Sequence, residues 1–328
     1  MNVLIPNIGR RGYLVEYLKE SPYFEGNVYV SDCDRTASGL YGNNDGYFIL
    51  SKPVDNEEKY IEELLNLCRS HKIELVIPVI DPELYILSKY KHLFEEYNII
   101  VLVSERSVLE ICYNKMNMNH FLLELGYPVI QTYDNIKDFE KAWAKGSISF
   151  PVIYKPIYGS GSADTGVAKD MNCLKAVFQD GMMIQEYVSE AIEYGIDVFN
   201  TFDKIPVRCV IKRKVSMRSG ETDKSYTIKN EALTQFITGM AKKLGHIGNL
   251  DCDVLEKNGV WYVLDLNPRF GGGYMATHIA GGNLLELTLR MAAGECLLPE
   301  YDSYKENVLV MKTISVVKTD WEGVNNCK

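Results

Sequence analysis

The chain has 328 residues, 46% hydrophobic and 24% charged, the balance of a globular protein long enough for two or three lobes. A formal net charge of −9 argues against non-specific nucleic-acid binding, which needs basic surface to neutralise phosphates. No apolar run approaches the ~20 residues that span a bilayer, and Met1-Asn-Val-Leu-Ile5 has no charged segment ahead of it. Neither a membrane span nor a signal peptide is therefore expected. The eight cysteines are scattered, with no Cys-x-x-Cys pair, as in a cytoplasmic protein with reduced thiols rather than a disulfide framework.

In chain order, residues 2–5 form a short buried strand, and Gly9-Arg10-Arg11-Gly12 turns into a helix beginning near Tyr13. A second strand at 27–31 ends in Asp32 and Asp34, giving a doubly wound β-α-β opening. The dinucleotide fingerprint requires a glycine where Asn7 stands, and only Gly9 and Gly12 match. These glycines read as a tight turn and not as a nicotinamide site. Apolar positions Ile61, Leu64, Leu65 and Cys68 mark a helix over 57–71. The strand at 74–80 places Asp81-Pro82-Glu83 at its carboxyl end, where open α/β sheets bind ligands. The same residues are ordinary helix-start chemistry. A strand at 98–103 and a helix from Ser104 close the first lobe near residue 107.

A helix over 114–124 follows, then a strand at 151–155 that ends in Lys155 and is closed by Pro156. The next loop carries Gly159, Ser160, Gly161 and Ser162, small residues that let backbone N–H groups and hydroxyls approach phosphate oxygens. It is not a Walker loop, because no Gly-Lys-Ser/Thr follows. The strand at 182–188 contains Gln185 and Glu186. Paired strands follow at 196–201 and 207–215, and the second carries Lys212-Arg213-Lys214, a charge run suited to an edge strand. Arg218 to Ser225 reads as a polar loop, and Asn230 to Leu244 as a helix. The turn Lys257-Asn258-Gly259 pairs strand 248–255 with strand 261–267, bringing Asp253 beside Asp265 and Asn267. Oxygen ligands at a strand end suit a hard cation such as Mg²⁺. Pro268 stops that strand, and Arg269 with Gly271, Gly272 and Gly273 forms a permissive turn. A helix over 284–293 and a strand at 308–317 complete the chain.

Lys115, Lys155-Pro156, Gly159-Ser-Gly161, Gln185-Glu186-Tyr187-Val188, Glu193, Asp253 and Asp265-x-Asn267-x-Arg269, in that order, resemble the ATP-grasp superfamily. Within it they resemble one synthetase unit of the carbamoyl phosphate synthase large subunit. The resemblance implies an α/β fold with α+β lobes: a doubly wound pre-ATP-grasp lobe at 1–107, a small lobe with a phosphate flap at 108–183, and a metal-bearing lobe at 184–328. It implies that Lys115 and Lys155 hold the α- and β-phosphates, and that Gly159 to Ser162 folds over them. Gln185, Glu186, Tyr187 and Val188 would hold adenine and Glu193 the ribose. Asp253, Asp265 and Asn267 would be the Mg²⁺ ligands, with Mn²⁺ as an alternative metal. Arg269 would steady an acyl phosphate, and Lys212 and Arg218, with Arg213, lie where basic residues meet the γ-phosphate. By fold analogy, Arg10, Arg11, Asp81, Glu83, Gly271 and Gly272 are candidates for the acceptor pocket.

The implied activity is an ATP-dependent carboxylate–amine or carboxylate–ammonia ligase acting on small molecules through an acyl phosphate. A homodimer is common in the group, and neither nucleic acid nor membrane is an expected partner. One synthetase unit is too short to make carbamoyl phosphate alone. The alternatives are a carboxylate-phosphorylating half-enzyme that needs a partner subunit and a nucleotide-binding regulator without turnover.

Overall fold

The computed structural model describes residues 1–159, 164–218 and 220–321. Its first sheet is built from β1 (Asn2–Ile5), β2 (Val28–Asp32), β3 (Gly46–Ile49), β4 (Ile73–Val76) and β5 (Ile100–Val101). Helices α1 (Tyr13–Lys19), α2 (Glu57–Ser70) and α3 (Asp81–Glu95) connect them. The strand order is β3-β2-β1-β4-β5, all parallel, with the order reversing beside β1. Strand alternation divides the apolar side chains between two cores. Val3, Ile5, Val28, Val30 and Leu75 face one, whereas Leu4, Ile73 and Val76 face the other. Both faces are therefore covered, as a parallel sheet requires. Pro82 occupies the first turn of α3, where its missing N–H costs nothing.

The glycine turn after β1 is closed by the protein itself. Asn7 and Gly9 both have positive φ, 46° and 55°. The Gly9 amide donates to Asp32 Oδ2 at 2.8 Å, and the Gly39 amide donates to the Gly9 carbonyl at 2.8 Å. A dinucleotide would need that Gly9 amide for its diphosphate, so the turn is structural.

Helices α4 (Arg106–Tyr113) and α5 (Lys115–Glu124) lead to an antiparallel sheet of order β6-β9-β7-β8. It comprises β6 (Thr132–Tyr133), β7 (Val152–Pro156), β8 (Gly166–Ala168) and β9 (Met182–Glu186), with α6 (Ile136–Ala144) and α7 (Met171–Val177) packed on it. Because β9 runs through Glu186, the change to the next sheet falls after that residue and not at 183.

The third sheet has the order β14-β13-β10-β11-β12-β15. Its strands are β10 (Ile192–Asn200), β11 (Pro206–Arg218), β12 (Glu221–Ile228), β13 (Gly248–Lys257), β14 (Val260–Asn267) and β15 (Leu309–Met311), and α8 (Glu231–Leu244) packs against β10 and β11. Two local expectations are corrected here. The cationic run at 212–214 lies on an interior strand, and the polar loop is largely β12. Asp223, Ser225 and Thr227 alternate inward on β12, so burial follows a strand period that polar side chains do not display. After β14, α9 (Tyr274–Ile279) and α10 (Leu284–Ala292) return to the first lobe. Phe270, Tyr274, Leu284 and Leu285 share a core with β1 and α1, and His278 stacks on Tyr17 at 3.7 Å. Among the described residues, no helix is long and apolar enough to cross a membrane.

Candidate functional site

A cleft of about 640 Å³ opens between the four-stranded and six-stranded sheets, with the turn after β1 at one end. Its floor is the β13–β14 hairpin. Antiparallel register sets Asp253 opposite Asp265 and Asp251 opposite Asn267. Since alternate residues of a strand share a face, the four oxygen-bearing side chains form one patch. Pairing also places Asp253 beside Gly195 of β10, whose missing side chain leaves room for Lys214. Lys214 Nζ lies 2.7 Å from Asp253 Oδ1 and 2.8 Å from Glu193 Oε1. Burial works against its charge, but those two carboxylates together hold its pKa above the usual lysine value.

Lys115 opens α5 and lies 3.8 Å from Asp265, while donating to the carbonyl of Gly159. Burial, together with the neighbouring Lys115, lowers the Lys155 pKa to about 8 even though Asp265 opposes the shift. Burial raises the Asp265 pKa. Burial also lifts Asp251 to about 7, with repulsion from Asp197 and Asp253 adding to it. The floor thus holds carboxylates that burial makes costly to ionise, beside the Lys155 ammonium, which burial makes easier to discharge. Such a site is completed by adding both a cation and an anion.

Farther along the cleft the lining becomes apolar. Ile130, Ile153, Leu255 and Leu264 line it together with the segment Gln185 to Val188. Gln185 is held by a bond to Thr132 Oγ1 at 3.1 Å, and the Glu186 amide donates to the Gln131 carbonyl at 2.9 Å. At the opposite end Arg269 is gripped by Asp81, Nε to Oδ1 at 2.8 Å and Nη2 to Oδ2 at 3.2 Å. Nη2 also donates to Asn267 Oδ1 at 3.2 Å, and Nη1 lies 3.8 Å from Asp251 Oδ2. The glycines after Arg269 are needed for close packing. A Cβ on Gly271 would fall 1.9 Å from Asp251 Oδ2, and one on Gly272 would fall 2.9 Å from Glu221 Cδ.

Lys115, Lys155, Gly159, Gln185, Glu186, Tyr187, Val188, Glu193, Asp253, Asp265, Asn267, Arg269, Arg11 and Gly272 all line this one cleft. Ser160, Gly161 and Ser162 lie outside the described residues. Several expected residues are elsewhere. Lys212 is buried behind the floor, ion-paired with Asp197, which also accepts from Thr277 and, at 2.9 Å, from Asn249. Arg213 is exposed, being odd where Lys212 and Lys214 are even on β11. Arg218 is exposed and pairs with Asp223 at 3.6 Å, away from the lining. Arg10 reaches Glu221 from the surface. Glu83 is fully buried in the first lobe, accepting from the Tyr60 hydroxyl and from Asn7 Nδ2 at 2.9 Å, and burial lifts its pKa to about 7. Asp81 serves Arg269 directly.

Sequence reasoning passed over Lys214, Asp251 and Glu221. Parity held the signal for the first two. Lys214 shares a face with Lys212, and Asp251 shares one with Asp253. Among the described residues, no group of three His, Cys, Asp or Glu side chains already forms a metal cage, because lysines engage the carboxylates.

Family comparison sorts this geometry. The family described as "PylC-like, N-terminal domain" matches residues 3–102, and "ATP-grasp in the biosynthetic pathway with Ter operon" matches residues 178–317. Over those two stretches the chain is similar to ATP-grasp proteins. Its ATP-grasp region resembles a synthetase unit of carbamoyl phosphate synthase. The "Carbamoyl-phosphate synthase" of Methanobrevibacter smithii is 25% identical over 269 residues, covering 76% of this chain and 70% of that protein. Large chains of other carbamoyl phosphate synthases are matched over much less of their length, 17% in Gemmatimonas aurantiaca. Among solved structures, biotin carboxylase from Campylobacter jejuni in a β,γ-ATP complex superposes with a TM-score of 0.71 at 18% identity, over 94% of this chain and 74% of that one. The L-amino acid ligase of Bacillus licheniformis gives 0.69 at 18% identity, over 94% and 78%. These likenesses establish an ATP-grasp fold with an N-terminal doubly wound pre-ATP-grasp lobe.

Proposed function

We propose that the protein is an ADP-forming ligase that joins a small carboxylic acid to an amine or ammonia at the expense of ATP. The observation that carries this reading is the register-locked patch of Asp253, Asp265 and Asn267, facing Lys115, Lys155 and Lys214 in one cleft with an apolar far end. Adenine fits the apolar end beside Glu186 to Val188, and Glu193 is placed for the ribose hydroxyls. Lys115 and Lys155 are positioned for the α- and β-phosphates. Phosphoryl transfer depends mainly on positioning and charge neutralisation, which is what these side chains supply.

The residues present suit a hard divalent cation. Asp253, Asp265 and Asn267 are oxygen donors on one face, and burial works against the Asp265 charge, which a bound cation would offset. Mg²⁺, with Mn²⁺ as the alternative, would be held there and would neutralise phosphate charge when bound. An acceptor carboxylate oxygen attacks the γ-phosphorus and ADP leaves, forming an acyl phosphate. The amine then displaces inorganic phosphate and loses a proton to form the amide. Arg269, aimed by Asp81 and Asn267, offers the guanidinium that stabilises charge on the acyl phosphate. The expected setting is cytoplasmic, with a homodimer as the expected assembly.

The test is ADP release with Mg²⁺-ATP across a panel of small carboxylic acids and amines. Carboxylate-dependent release is expected, with Asn267→Ala and Arg269→Ala each slower by about 100-fold or more. Full activity in either variant would remove that residue from the chemistry. ATP turnover indifferent to every carboxylate would defeat the ligase reading.

A further inference from the structure

Beyond Arg269 the cleft continues to an end lined by Arg11, Gly220, Glu221, Thr222, Gly272 and Gly273. Its charges do not balance. The Glu221 carboxylate is already matched twice, by Lys312 Nζ at 3.0 Å and by Arg10 Nη2 at 3.6 Å, and its pKa is lowered despite burial. Arg11, half-buried on the cleft wall, forms no ion pair or side-chain hydrogen bond with any described residue and feels Glu221 only at longer range. A guanidinium drawn partly out of water without a partner is costly, and its fork geometry matches a carboxylate or a phosphorus oxyanion.

We propose that Arg11 binds a second anionic group on the acceptor, so that the acid activated at Arg269 is a dianion. This rests on the ligase reading above and names its substrate class as short dicarboxylates or carboxylates bearing a phosphorus oxyanion. Arg269, Gly272, Gly273 and Arg11 line one cleft, so a single small molecule meets both guanidinium groups, while Gly271 packs against Asp251 and Gly272 against Glu221.

The experiment uses the full chain with Mg²⁺-ATP and measures carboxylate-dependent ADP release. Malonate, succinate, glutarate and 3-phosphonopropionate are set against propionate and butyrate. A dianion is expected to exceed the best monoanion by about ten-fold or more in kcat/KM, chiefly through KM. The phosphonate arm separates the two sources of the second charge. Arg11→Ala should collapse that ratio by about ten-fold, and Arg11→Lys should restore part of it. A ratio near one in the native chain, or one unchanged by Arg11→Ala in a protein that still binds ATP, overturns the proposal while leaving the ligase reading intact. ATP binding with no release on any carboxylate overturns both.

Discussion

Lys212 and Lys214 show how two identical side chains on one strand face can come to different ends. Both point toward the β10 side of β11, but Lys212 lies under the loop after Arg269 and is tied to Asp197, whereas Lys214 reaches the cleft between Glu193 and Asp253. Charge-run reasoning fixes neither depth nor partner, since both depend on where β10 and β13 lie. Glu83 teaches a related lesson, because a carboxylate at a strand's ligand-binding end turned inward. Its folded pKa of about 7 exceeds the ordinary 4.5, so folding favours its neutral form. Its contribution to stability is fullest below pH 4.5 and is lost as pH rises toward 7, by an amount on the order of 3 kcal/mol at most. Glu83→Gln keeps an oxygen to accept from Tyr60 and never ionises. Urea unfolding at pH 4 and pH 8 should show the variant gaining on the native chain at the higher pH. Equal differences at both values would mean that Glu83 does not titrate in the folded state.

At the level of elements, hydrophobic patterning was enough to locate β1, β2, β7, β9 and β13, together with α2, α5 and α8. It also paired β13 with β14, because Asn258-Gly259 marks a hairpin and the register then follows from strand alternation. That pairing yielded the oxygen patch. Patterning failed on β12, whose inward residues are Asp223, Ser225 and Thr227, and on short elements such as β3 and β6. The glycine run reads from the sequence as a tight, permissive turn, and in the fold Asp251 occupies the place where a Cβ on Gly271 would stand. Gly271→Ala should therefore displace Asp251 and with it the floor of the site. Activity should fall by about ten-fold or more, with a lower melting temperature. Unchanged melting and turnover would show that the loop moves aside cheaply.

Over the whole molecule, the notable contact is the one between Asp81 and Arg269, 188 positions apart. No local pattern announces it. It arises because α9 and α10 return to the first lobe and bury Phe270 and Tyr274 there, which brings the start of α3 against the end of β14. Lobe packing thus brings site residues from distant parts of the chain together. The pairing has a thermodynamic corollary. An incoming substrate anion that needs the Arg269 guanidinium competes for it with Asp81, a residue belonging to another lobe. By reciprocity, whatever loosens that grip favours the anion, and the anion loosens the grip to the same degree. Asp81→Asn keeps the shape and removes the competing charge. It should lower the acceptor KM severalfold while making the first lobe's backbone amides exchange hydrogen faster. Unaltered exchange and an unaltered KM would mean that substrate and Asp81 share the arginine without contest.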